Sequence, residues 1–128
     1  MGHGVNVSWD DRDGEHEATA DWEVVEDLVG SLDGEERTHV SLGDPERHLV
    51  CGGAAAVGLV LFVQLHGEIH QLLSSTADRD GTVELVAAGQ PGVYPTRFVV
   101  DLQRAKQAAR TFVEDSTLET SLPWELQR

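Results

Sequence analysis

The sequence predicts an α+β fold: a mostly antiparallel sheet of about six strands with two principal helices, in one domain spanning residues 1–128. Three observations lead there. Two stretches, near 19–32 and 101–114, place apolar residues at helical spacing. Between them runs a series of short segments with alternating or continuous apolar character, separated by Gly, Pro and Asp turns. The order of strand, helix, successive strands and helix is that of helices packed on an antiparallel sheet, with no internal repeat and no linker.

The first strand is read from Val5, Val7 and Trp9, which alternate with polar neighbours. Residues 10–14 form an Asp- and Gly-rich turn, and 15–19 either continue a hairpin or lead into the next element. A helix then runs to about Leu32 from an N-cap at Thr19 or Asp21, burying Trp22, Val25, Val29 and Leu32. After the turn at Asp33-Gly34, strands are expected at 38–42, 48–51 and 58–65. Gly43-Asp44-Pro45 turns between the first two, and the small residues 52–56 make a flexible connection before the third. The continuously apolar stretch 59–63 suits a central strand covered on both faces. His66-Gly67 reads as a two-residue hairpin turn into 68–73. A loop at 74–81, a strand at 82–86, a loop at 88–92 and a last strand at 96–100 follow. The second helix, near 101–114, buries Leu102, Ala105, Ala109, Phe112 and Val113, and the tail 122–125 docks Trp124 on the domain.

A chain of 128 residues that is 40% apolar holds one ordinary core. The single cysteine, Cys51, rules out an internal disulfide and suits a reducing compartment. No basic, then apolar, leader opens the sequence, and the longest apolar run, 57–63, falls short of the roughly 20 residues a bilayer span requires. The expected setting is therefore the cytoplasm.

Charge is the unusual property. Acids outnumber Lys and Arg by 23 to 9, for a formal charge of −14. Twelve of those acids, against Arg12 alone, lie in residues 1–36, which carry −11. Such a field repels phosphate backbones and anionic membranes, so neither nucleic acid nor membrane is an expected partner. It favours a basic protein partner, or else serves solubility alone. On the first helix Glu23, Glu26 and Asp27 fall at i, i+3 and i+4, a mutually repulsive arrangement that costs a few tenths of a kcal/mol per pair.

No catalytic constellation emerges. His66 and His70 are four apart but lie in a hairpin, without the helical face that a zincin motif requires. His39 and His48 flank a turn and, with Glu68, are the best available metal set, yet nothing in the spacing fixes their geometry. They are read as ordinary histidines, with no metal and no cofactor. Cys51 has no basic sequence neighbour to activate it. Gly52-Gly53 lacks the Gly-Lys-Ser/Thr ending of a phosphate loop. The chain is not expected to be an enzyme.

In the second half, Val-Glu-Leu-Val-Ala-Ala-Gly-Gln (83–90), Val-Tyr-Pro (93–95), Phe-Val-Val (98–100), the helix carrying Ala105, Ala108, Ala109 and Phe112, and Leu-Pro-Trp-Glu (122–125) occur in a telling order. Together they resemble immunity protein family one, the small proteins encoded beside bacterial polymorphic toxins. The resemblance covers roughly residues 46–126. Ala88 stands where many relatives have a further glycine, and Asp115-Ser116-Thr117-Leu118 where relatives often have a Thr-Gly step.

The resemblance implies a single immunity-protein-like domain that binds and blocks a cognate toxin domain, frequently a nucleic-acid deaminase, with no catalytic residue of its own. Such deaminases border their base pocket with basic contacts, so an acidic inhibitor can occupy the place of the phosphates. The expected acidic contacts are Asp10, Asp11, Asp13, Glu23, Glu26 and Asp27. Tyr94 and Trp124 serve as aromatic anchors, or else as core and tail-docking residues. A monomer or weak dimer is expected. The alternative of another class is an acidic secretion chaperone for an effector protein.

Overall fold

A computed structural model describes residues 4–74, 81–87 and 89–127. The alternation at Val5, Val7 and Trp9 becomes strand β1 (Val5–Asp11), and 15–19 does continue a hairpin, as β2 (Gly14–Ala20). Helix α1 (Trp22–Gly30) starts at the second of the two candidate caps: the Asp21 carboxylate accepts the Val24 N–H. It buries Val25, Leu28 and Val29, then returns the chain to β3 (His39–Gly43), which pairs with β1. A meander follows through β4 (Arg47–Ala54), β5 (Gly58–Leu65) and β6 (Glu68–Leu72). The turn between β5 and β6 has φ of 52° at His66 and 80° at Gly67, the double positive φ of a tight two-residue hairpin.

Three elements depart from expectation. Gly52 and Gly53 are not a flexible connection but paired strand residues of β4, opposite Val60 and Leu59. Glycine is required there for closeness, since a Cβ on Gly52 would lie 2.6 Å from the Ala87 Cβ. The expected loop at 88–92 contains the start of β8 (Gln90–Pro95), which pairs with β7 (Thr82–Ala87) in a separate two-stranded sheet. The strand expected at 96–100 is a short 3-10 helix (Thr96–Phe98), with one bridge from Val100 to Leu59. Of the expected loop at 74–81, residues 75–80 lie outside the described residues, as does Ala88 in the quoted 83–90 segment.

Helix α2 (Leu102–Asp115), capped by Asp101, leads to β9 (Trp124–Gln127). The tail thus docks its tryptophan by adding a strand to β6. The main sheet has the order β2-β1-β3-β4-β5-β6-β9 and is antiparallel throughout, so the α+β class stands with seven strands in the main sheet. One face of it and the two helices share the core of Val7, Val25, Val40, Leu49, Leu61, Ala109 and Phe112. The opposite face carries Val50, Val60 and Phe62, and the β7–β8 hairpin folds over part of it.

Candidate partner-binding surface

The six acids singled out by sequence fall into two groups. Asp13 at the β1–β2 turn and Glu23 and Asp27 on α1 are exposed. Asp10, Asp11 and Glu26 instead have partners inside the chain. Asp10 accepts hydrogen bonds from the Thr38 N–H (2.7 Å), the His39 N–H (2.9 Å) and the Thr38 hydroxyl. Burial works to raise the Asp10 pKa, but these donors outweigh it and hold the carboxyl below its ordinary range. The His16 ring, 2.8 Å away, and the Asp13 N–H do the same for Asp11. Glu26 lies 3.6 Å from Lys106 Nζ, which ties α1 to α2.

Asp10 also anchors the second sheet. The Thr38 hydroxyl that donates to it accepts the Gly89 N–H at 2.7 Å, so a chain of hydrogen bonds runs from β1 through Thr38, just before β3, to the β7–β8 turn. Asp33 does comparable work next door. Its carboxylate accepts the N–H groups of Glu35, Glu36 and Arg37 at 2.9–3.0 Å, and these bonds lower its pKa. Arg12 joins Glu36 at 2.6 Å, and the Ala55 N–H donates to Leu32 O at 2.8 Å. These contacts join the acidic hairpin, the 33–36 loop and the β4–β5 turn, the Arg12–Glu36 pair weakly because it is exposed.

Between that loop and the outer side of the β7–β8 hairpin lies a cleft of ≈ 550 Å³. Val57 and Val93, which line it, are 66% and 61% exposed. Glu35 and Glu84 are exposed on its rim, and among the described residues no Lys or Arg lines it. Sequence reasoning missed both valines. Val57 belongs to the apolar run 57–63 and Val93 to the Val-Tyr-Pro segment, so nothing local marks them as exposed.

Tyr94 and Trp124 are half-buried. Tyr94 lines a cavity of ≈ 340 Å³ between the hairpin and the sheet, with His39, Val50, Phe62 and Phe98. Trp124 packs against the core, and its indole N–H donates to Glu119 O at 2.9 Å. A third depression, of ≈ 710 Å³, lies over the other end of the open sheet face and carries Ser8, Glu17, Ser41 and His48.

Little here resembles catalytic or metal chemistry. His39 pairs with Gly52 and His48 with Gly43, so four ladder positions, roughly 13 Å, separate the two histidines. Among the described residues, no group of three or more His, Cys, Asp or Glu is placed to hold a metal ion. Cys51 is buried, and burial pushes its thiol up to about 12, far from a reactive thiolate. No helix among the described residues is long and apolar enough to cross a membrane.

Residues 13–126 match a family model described as Immunity protein Imm1. The match extends the resemblance at 46–126 back through β3, α1 and β2, and so takes in most of the acidic segment. No curated protein matches the chain.

Proposed function

Because the chain belongs to the Imm1 immunity protein family, we propose that it protects its host by binding and blocking a cognate toxin domain, and that this toxin is a nucleic-acid deaminase. The family match over 13–126 carries the reading. The charge of −14 supports its finer part, since a deaminase that grips nucleic acid presents a basic cleft which an acidic protein can occupy. Inhibition by occupancy needs no catalysis by the inhibitor, no cofactor and no metal. Residues 1–128 act as one binding unit in the cytoplasm, as a monomer or weak dimer, with no contact to nucleic acid or membrane.

In this reading Asp13, Glu23 and Asp27 act mainly at a distance. Exposed like charges on a rigid body accelerate encounter with a basic partner, and salt screens the effect. Asp10, Asp11 and Glu26 act through the fold they hold together. Tyr94 acts by seating the β7–β8 hairpin on the sheet and Trp124 by docking the tail on the core. The test is co-expression with the toxin encoded by the adjacent gene. Growth is expected with the chain present and arrest without it. Arrest in both cases would sink the immunity reading; rescue from a toxin that leaves bases unaltered would sink the deaminase assignment alone.

A further inference from the structure

We propose that the cleft between the 33–36 loop and the β7–β8 hairpin is the toxin-docking surface. Its occupant is a loop of the basic partner that seats one aliphatic or aromatic side chain between Val57 and Val93. Lys or Arg residues flanking that side chain reach Glu35 and Glu84. The inference rests on the immunity reading and specifies where that reading is executed.

Three observations carry it. Val57 and Val93 are the most exposed large apolar side chains among the described residues, at 66% and 61%, and both line this one cleft. Scattered exposed apolar residues are ordinary, but a paired, concave arrangement with a polar rim is the anatomy of a binding site. Among the described residues the charged lining is acidic: Glu35 and Glu84 face solvent there, and no described Lys or Arg lines the cleft. This complements a cationic surface and rejects an anionic one. Finally, both walls are held before any partner arrives. Asp33 caps the loop with three backbone N–H bonds, and Gly89 is tied through Thr38 to Asp10. A preorganised surface loses little freedom on binding.

Two other concave regions are poorer candidates. The cavity beneath the hairpin is walled by half-buried side chains that join the hairpin to the sheet. The depression over the open sheet face mixes polar side chains such as Ser8, Glu17 and Ser41 with Ala18, Pro45 and Val50, and offers no exposed large apolar anchor.

Calorimetry of the purified chain against the toxin domain encoded by the adjacent gene provides the test. Val57→Arg combined with Val93→Arg is expected to weaken binding at least a hundredfold. Both side chains point into solvent, so an unchanged melting curve is expected with it. Val24→Arg on α1 and Ile69→Arg on β6, at positions 45% and 37% exposed, are expected to stay within threefold of the parent. Parent-like affinity of the double variant would overturn the docking site and leave the immunity reading intact, as would loss confined to Ile69→Arg. A parent chain that neither binds nor rescues would overturn both. Hydrogen exchange of the unmutated complex gives a check that involves no substitution. Protection is expected at 33–36 and 90–95, and protection confined to α1 would contradict the proposal.

Discussion

Asp10 shows how a surface-looking acid becomes a structural one. In the sequence it stands in an Asp-rich turn; in the fold it joins β1, β3 and the β7–β8 turn through Thr38 and Gly89. Asp10→Asn leaves one acceptor oxygen and no charge, so it is expected to cost about 1–3 kcal/mol, read as a lower urea midpoint. The pH dependence follows in sign. Asp10, Asp11, Asp33 and Glu119 all have lowered pKa values in the fold, from ordinary values of 3.8 for aspartate and 4.5 for glutamate. A lowered carboxyl binds fewer protons folded than unfolded, so its contribution is complete above its ordinary value and is lost as pH falls through the folded one. These groups leave the midpoint flat between pH 7 and 5 and reduce it below about pH 4, with a shallower decline in Asp10→Asn. Equal declines in both proteins would show that Asp10 is not the latch.

At the level of elements, legibility followed the range over which each signal acts. Hairpin turns were readable because Gly43-Asp44-Pro45 and His66-Gly67 state their geometry within two or three residues. Helix α2 was readable because its burial stripe repeats along 14 residues. Strand β8 was hidden by Pro91, Gly92 and Pro95, which read as loop and are tolerated in a two-stranded ribbon. Strand β9 has only four residues, and its partner β6 lies some fifty residues earlier, beyond any local pattern. Trp124→Ala should lower stability by about 2–4 kcal/mol and uncover the β6 edge, seen as a reduced melting temperature with concentration-dependent association. An unchanged monomeric protein would mean that β9 does not close the sheet. On α1, reversing the exposed Glu23 and Asp27 to lysine should slow toxin association several-fold and flatten its salt dependence, with dissociation nearly unchanged. Faster dissociation would instead place α1 at the contact.

Across the whole molecule, the acidity divides into two groups that composition alone could not separate. Some acids of the −11 segment are internal fasteners, namely Asp10, Asp11 and Asp33, while Asp13, Glu23 and Asp27 remain free to act at long range. The cleft was illegible in the sequence because it is assembled from the loop after α1, the β4–β5 turn and the β7–β8 hairpin, segments that only the fold makes neighbours. Under the proposed docking, its charge and its apolar pair are where the acidic body would hold a basic partner. The most direct measurement is titration of the toxin domain's enzymatic activity with the purified chain. Activity should fall linearly to zero at one equivalent, with the inhibition rate dropping as salt is added. Undiminished toxin activity in the presence of excess folded chain would contradict the account.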